Sequence, residues 1–369
     1  MTAERDIAGF ALPFAAGISL AACLPAMHSL PPILFLFPAS ACILALIHPR
    51  HRRFADGTIL ALTTFMLFCC GAFVSLSHEH LSISTISNGG TISDYASGFV
   101  SKIQELIDGL PFKDEENKAL LSALITGERS GLNPETTEAF RNSGAAHILA
   151  LSGLHLGIIY GILKAILSIF GNSFRSRIWK AALIVAACGF YTLATGASPS
   201  IVRAFLFILL VETARLTGRF SSTGTILLTS FFIQLALDPS AIKSAGFQLS
   251  YAAMAGIAYI YPYFKRMWPE KSEHEGITRK SLRWMWNSVA VSIACQITTG
   301  PIAYFYFGTF PQYFLLTNLI ALPLVGIVIP LGLLVICLEA CGISSSLLSE
   351  ITEMLLSAMT ESLSTIASL

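Results

Sequence analysis

QYFLLTNLIALPLVGIVIPLGLLVICL, residues 312–338, carries no charged side chain. The hydrocarbon core of a bilayer is about 30 Å thick, and about 20 apolar residues in α-helix cross it. An apolar, uncharged run of this length predicts a membrane-spanning helix. Similar stretches recur outward from it, near residues 7–24, 30–47, 57–77, 145–170, 178–196, 199–217, 221–237, 246–264 and 284–307, with a weaker one at 347–369. The expected fold is therefore all-α, a polytopic integral membrane bundle of about 10–11 transmembrane helices. Composition points the same way. Hydrophobic residues make up 54% of the chain and charged residues only 12%, with mean hydropathy +0.68. A soluble domain carries about 25% charge to cover its surface. Three parts are expected: N-terminal transmembrane helices over 1–77, a polar segment over 78–144, and a helical core over 145–369.

Charge placement predicts orientation. Basic residues cluster in the loops 48–57 (Arg50, Arg52, Arg53), 171–180 (Arg175, Arg177, Lys180), 215–222 (Arg215, Arg219) and 265–283 (Lys265, Arg266, Lys271, Arg279, Lys280, Arg283). Strict alternation of spans puts these loops on one side, which the positive-inside rule makes cytoplasmic, together with the N-terminus. Residues 78–144 then fall outside; ten acids against five bases give them a net charge of −5. Within that segment, 92–110 and 114–126 show apolar stripes at helical spacing (Ile103, Leu106, Ile107, Leu110; Leu120, Leu121, Leu124). They are expected to lie as short amphipathic helices on the outer membrane face or to cap the bundle. Residues 7–24 lack a clearly basic flank, and another apolar stretch follows at once. They read as a first span rather than a signal peptide. Cys23, Cys42, Cys69, Cys70, Cys188, Cys295 and Cys337 lie in apolar stretches and Cys341 borders one; they read as small buried hydrophobes.

The densest polar constellation is Gly127-Glu-Arg129-Ser-Gly-Leu132, then Phe140-Arg141-Asn-Ser-Gly-Ala-Ala-His147, then Ala150-Leu-Ser152-Gly153-Leu-His155-Leu-Gly157. On one continuous helix over 147–161, His147, Leu151, His155, Ile148 and Ser152 occupy an arc of about 140°, and Gly153, Gly157 and Gly161 fall opposite. The glycine side suits close approach of another helix. The imidazole side either bonds to neighbouring helices or meets a polar substrate, because ionisable groups are costly in a bilayer and mark function. Gly196-Ala-Ser198-Pro199-Ser-Ile-Val-Arg203 opens the next span but one. Ser198 suits an N-cap and Pro199 the first helical position, which makes the start of that helix, with Arg203, a candidate anion site. The plain alternative is a helix start with a snorkelling arginine. Arg215 is placed to neutralise Glu212. Gln248 needs a partner helix or a water-filled path. Gln296, Gly300 and Pro301, and then Asn318, Pro323 and Pro330, are expected to interrupt their spans. No phosphate-binding Gly-rich loop with its lysine and no zinc-hydrolase histidine cluster is found, so neither nucleotide hydrolysis nor a metal or other cofactor is expected. His78-Glu-His80 reads as ordinary surface chemistry.

These motifs together resemble the ComEC competence family over roughly residues 100–340. The resemblance rests on the Gly127–Leu132 turn, the Phe140-Arg141 pair, the His147 to His155 run, the Ser198 to Arg203 run and Phe247-Gln-Leu-Ser250, in the family order. It implies a channel that carries single-stranded DNA across the cytoplasmic (inner) membrane in natural transformation. His147, Ser152, His155, Arg203, Gln248 and Asn318 are the candidates for its path. Family members often carry an outer OB-like domain and a metallo-β-lactamase-like domain. Residues 78–99 are too short for the first and no zinc cluster marks the second, so this polypeptide is not expected to cut DNA itself. Single-stranded DNA and lipid are the expected partners, with a separate DNA receptor, nuclease and cytoplasmic motor. Two other classes stay open: a transporter of another anionic polymer or lipid, and a rhomboid-like intramembrane serine hydrolase built on Ser152 and His155. Three-residue spacing on a rigid helix counts against the hydrolase.

Overall fold

The computed structural model describes residues 2–23, 32–35, 38–40, 42, 56–81, 91–171, 173–218, 222–268, 276–308 and 312–369, and among these there is no strand. The helices are α1 (Thr2–Cys23), α2 (Asp56–Leu81), α3 (Thr91–Asp108), α4 (Glu115–Thr126), α5 (Pro134–Asn142), α6 (Ala146–Leu149), α7 (Gly153–Ser168) and α8 (Phe174–Ala194). Then follow α9 (Pro199–Leu216), α10 (Thr223–Leu237), α11 (Ala245–Ala255), α12 (Tyr261–Arg266), α13 (Ile277–Phe307), α14 (Phe314–Ala340) and α15 (Ser346–Ala367). The expected all-α character holds. Most of the span expected at 30–47, and the basic residues Arg50, Arg52, Arg53, Arg219 and Lys271, lie outside the described residues.

Among the described residues three helices are long and apolar enough to cross a membrane: α8, α13 and α14. At 1.5 Å per residue they extend roughly 32, 46 and 40 Å, against a hydrocarbon core of about 30 Å. Little of α8 or α13 is covered by the rest of the chain; Leu193 is 51% exposed and Phe305 82%. Apolar surface on that scale is what a bilayer, not water, would cover. Shorter apolar helices lie at Ile7–Cys23, Ala61–Ser77, Gly153–Ser168 and Thr223–Leu237.

The chain forms two compact units, Met1–Asn88 with Phe220–Tyr251, and Gly89–Arg219 with Ala252–Leu369. This grouping differs from the expected division at 77 and 144, because residues 220–251 cluster with the N-terminal helices. In the first unit α1 and α2 pack backbone to backbone. A Cβ on Gly17 would stand 2.0 Å from the Phe68 carbonyl oxygen, and one on Gly71 would stand 2.1 Å from that of Phe14. Small residues let membrane helices approach this closely. Phe14 also meets Phe232 of α10 at 4.9 Å between ring centroids.

The second unit is built around α4. Asp114 caps it by accepting from the Glu116 amide at 3.0 Å, and Glu115 and Glu116 in the first turn suit its positive end. Beyond that turn Leu120, Leu121, Ala123, Leu124 and Ile125 are buried. They pack with Val325, Val328 and Ile329 of α14 and with Leu356, Met359 and Leu363 of α15. Of the two placements expected for 114–126, surface helix or cap of the bundle, the burial against α14 and α15 fits the cap, with Lys118 pairing to Glu115 at its edge. The weaker span candidate at 347–369 forms α15, which is not among the described helices long and apolar enough to cross a membrane. Helix α15 is amphipathic and lies in this core, and its Glu353 carboxylate accepts from the amides of Lys113 and Asp114 at 2.7 and 2.9 Å. Strict alternation would put residues 113–114 and 353 on opposite sides of the membrane. Their contact does not fit strict alternation of all the spans expected between them.

Breaks also fall elsewhere than expected. Helix α13 runs unbroken through Pro301, and α14 through Pro323 and Pro330. A proline in a membrane helix removes one backbone bond that neighbouring groups can replace. The interruptions lie instead at residues 150–152 and at a π-turn, Gly256–Ile260, where a Cβ on Gly256 would stand 2.4 Å from the Ala294 carbonyl oxygen.

Candidate functional site

The expected helix over 147–161 is two pieces. Helix α6 is one turn, the chain leaves the helix at residues 150–152, and α7 begins at Gly153. Ser152 holds φ −122° and ψ 172°, the extended conformation of an N-cap, and its Oγ accepts from the Leu154 amide at 3.3 Å. His155, three residues on, closes a capping box: its Nδ1 accepts from the Ser152 amide at 3.2 Å. The single arc of His147, Ser152 and His155 does not exist, because a serine ahead of a glycine stops one helix and starts the next. His147 is exposed, with Nδ1 3.1 Å from the Gly144 carbonyl oxygen, yet remains close enough to His155 to interact electrostatically. His155 is 1% exposed, and its Nε2 has no hydrogen-bond partner among the described residues.

The same break changes the case against a Ser–His pair. Ser152 Oγ lies 3.1 Å from His155 Nδ1, so the spacing does allow the contact, from a cap rather than from within a turn. Both atoms are committed to the helix start, Oγ to the Leu154 amide and Nδ1 to the Ser152 amide. The cap explains the contact without a nucleophile.

Gly127, Gly153 and the start of α9 assemble around this break. Gly127 ends α4 at φ +85°, and a Cβ there would stand 2.2 Å from Leu151 Cδ1. The neighbouring Ile125 carbonyl accepts from Tyr191 of α8 at 2.7 Å. Gly153 faces α9, with Ala204 Cβ at 3.3 Å from a built Cβ. Gly157 and Gly161 are exposed and meet nothing within 4 Å, so among the described residues the expected glycine face packs at Gly153 alone. Arg203, beside Ala204, is buried at 5% exposure rather than snorkelling. Pro199 stands at the first position of α9 as expected, but Ser198 makes no capping hydrogen bond, and its Oγ is buried without a partner among the described residues. Leu151, Leu156, Ile201 and Ile208 close an apolar cluster between α7, α8 and α9.

The remaining candidates separate. Asn318 donates to Ser292 Oγ at 3.3 Å and its Oδ1 is buried without a partner among the described residues; the adjacent Thr317 donates to the Ser143 carbonyl at 2.6 Å. Gln248 belongs to the first unit and donates to the Ile242 carbonyl at 2.8 Å, a local bond rather than a path-facing one. Phe140 is fully buried, whereas Arg129 and Arg141 are exposed. Glu212 and Arg215 pair at 2.7 Å as expected, and Tyr160 donates to the same carboxylate at 2.6 Å.

The family model described as competence protein matches residues 124–369, which take in the α4 terminus, the α6–α7 break and everything after it. The chain belongs to the competence protein family. The match begins later and runs further than the resemblance over 100–340, so it includes α15. Among relatives, the chain is 24% identical over 247 residues to ComE operon protein 3 of Bacillus subtilis, covering 67% of this chain and 30% of that protein. It is 29% identical over 221 residues to competence protein ComA of Neisseria gonorrhoeae, covering 58% and 30%. It is 23% identical over 286 residues to recombination protein 2 of Haemophilus influenzae, covering 74% and 35%. The chain thus spans about a third of the length of these relatives. No solved structure matches it.

Within this competence-family core, motif reading missed the partners. Tyr191, which donates to the Ile125 carbonyl beside Gly127, carries no local signal. Ala197 does: between Gly196 (φ +78°) and the Ser-Pro start of α9 it takes φ +48°, a left-handed position that a Gly-x-Ser-Pro turn makes worth suspecting.

Proposed function

We propose that this chain is the membrane core of a system that carries single-stranded DNA across the cytoplasmic (inner) membrane during natural transformation, with its N-terminus in the cytoplasm. Membership of the competence family supports the process. The observation that carries a transport role is the pair of buried, ionisable side chains on adjoining apolar helices, His155 on α7 and Arg203 on α9. Desolvated groups of this kind are expensive in a membrane and mark polar paths. A polyphosphate passing through a low-dielectric layer needs donors that replace its water without holding it. One imidazole and one guanidinium at a helix start suit that task, and no catalytic step is assigned to the chain. A DNA receptor, a nuclease and a motor are taken to be supplied outside these residues.

The test is transformation frequency in a deletion strain complemented with variants, with protein amounts matched by immunoblot. Arg203→Ala and His155→Ala should each reduce uptake sharply, and Arg203→Lys should restore part of it through charge. Wild-type frequencies for both alanine variants would refute the proposal. Cysteine labelling at Ser93 and Ser272 should come from opposite sides; labelling from one side would refute the orientation.

A further inference from the structure

The capping box at the head of α7 has a chemical consequence for His155. The Ser152 amide can only donate, and it reaches Nδ1 at 3.2 Å. Nδ1 must therefore carry its lone pair, and a neutral imidazole then carries its single proton on Nε2. The Ser152 hydroxyl strengthens this. Its oxygen accepts from the Leu154 amide at 3.3 Å, which leaves its own proton to point at Nδ1, 3.1 Å away. Nε2–H is thus a donor in a side chain that is 1% exposed, and no acceptor for it exists among the described residues. A buried donor left unmet is costly. An Nε2 that holds a proton cannot ligate a metal ion and cannot act as a base. What fits it is an acceptor oxygen.

We propose that His155 Nε2–H is a binding donor for a non-bridging phosphodiester oxygen of the transported strand, and that Ser152 is a positioning residue that fixes the imidazole in this tautomer. The phosphate half of this proposal rests on the transport function proposed above. An uncharged N–H suits a site that a polyanion must leave as readily as it enters, since a charged donor binds roughly twice as strongly. Gly153, the first residue of α7, packs on Ala204 of α9, the helix that also carries the buried Arg203.

The test is nitrogen NMR of the full chain, labelled with 15N-histidine, in a maltoside detergent that contains no phosphate. The His155 signals are those missing from a His155→Gln variant. Without added ligand they should report a protonated Nε2 and a bare Nδ1. A short oligothymidylate should move the Nε2 signal, while the same oligomer with uncharged methylphosphonate linkages should leave it in place. Ser152→Ala keeps the amide that donates to Nδ1 but loses the hydroxyl that caps α7 and supports the imidazole, so it should weaken the tautomer preference and lower transformation, and Ser152→Thr should restore both. A protonated Nδ1 in the wild type overturns the proposal. So does a signal that phosphatidylglycerol moves and oligothymidylate does not. If oligothymidylate leaves the signal unmoved while His155→Ala still abolishes uptake, this site assignment fails and the transport function stands. If it moves the signal while the alanine variants transform normally, the transport function fails and the binding site stands.

Discussion

Gly127→Ala probes the joint that places the α6–α7 break. Two costs follow from the structure. The residue sits at φ +85°, and an L side chain in left-handed backbone costs about 1–2 kcal/mol. Alanine also narrows the unfolded chain, which returns about 0.4–1 kcal/mol, so the backbone part is about 1 kcal/mol. The second cost is steric. The new Cβ would stand 2.2 Å from Leu151 Cδ1 and 2.8 Å from its Cγ. Leu151 cannot simply swing away, because it is buried in the cluster with Leu156 and Ile201. Overpacking of this kind costs about 1–3 kcal/mol, which brings the total to about 2–4 kcal/mol. Gly196→Ala supplies the control: φ there is +78° and nothing lies within 4 Å of a built Cβ, so it should lose only the backbone part. Unfolding in mixed micelles at rising SDS fraction, followed by helical circular dichroism, measures both. The double variant Gly127→Ala/Leu151→Ala should lose less than the sum of the single variants, by about the 1–3 kcal/mol of overpacking. Equal losses for Gly127→Ala and Gly196→Ala, or strict additivity in the double variant, would refute the claim that Gly127 makes room for Leu151.

Ala197→Gly should stabilise the same preparation by about 0.5–1 kcal/mol, since the relief of left-handed strain exceeds the entropy that glycine adds to the unfolded chain; a loss of stability would count against the strain at φ +48°. Glu353→Gln should cost about 1 kcal/mol in the same titration, because the charge that binds the Lys113 and Asp114 amides is removed while the geometry is kept; no change would mean that α15 does not hold α4. The Ser130 amide, then its hydroxyl, hold Glu128 below its ordinary pKa of 4.5, so its contribution to stability is full above pH 4.5 and lost as pH falls through the lower folded value. Glu128→Gln should flatten that acid limb, and an unchanged pH profile would contradict the assignment. Gly157→Leu should be neutral or stabilising by up to about 1 kcal/mol, because glycine is a poor helix former and nothing lies within 4 Å; failure to assemble would reveal a partner for that face beyond the described chain.

Much of the fold was legible because membrane helices announce themselves by composition: 312–338 reads as a span from its own residues, and α14 runs from Phe314 to Ala340. What could not be read was burial against protein rather than lipid. Leu120, Leu121 and Leu124 look like one stripe of a surface helix, and only the packing of α14 and α15 shows that α4 is interior. Glycine spacing misled for a related reason. Gly153, Gly157 and Gly161 keep a strict step of four, yet the closest backbone approach is made by Gly17 and Gly71, each lying on a different helix. A motif within one helix says where a partner could approach; it does not say that one does.

The candidate site shows the same limit at atomic scale and what a single cap changes. Sequence placed His147, Ser152 and His155 together by assuming that an apolar run is one helix. Ser152 and His155 are together, but for the opposite reason: the run breaks, and they meet because they begin a helix. Had the helix been continuous, the imidazole would have been free to choose its tautomer and to gain charge. The cap removes that freedom, and the residue that removes it is the serine that a hydrolase would need as nucleophile. One hydrogen bond, from an amide that can only donate, thus argues at once against Ser152 as a catalyst and for His155 as a fixed donor. Ser152→Thr preserves an oxygen that can cap but adds a methyl group beside it. If uptake survives Ser152→Thr and fails in Ser152→Ala, while neither preparation hydrolyses a peptide or ester, the cap is what the chain requires at this position; hydrolysis lost in Ser152→Ala would show instead that the hydroxyl is spent on chemistry.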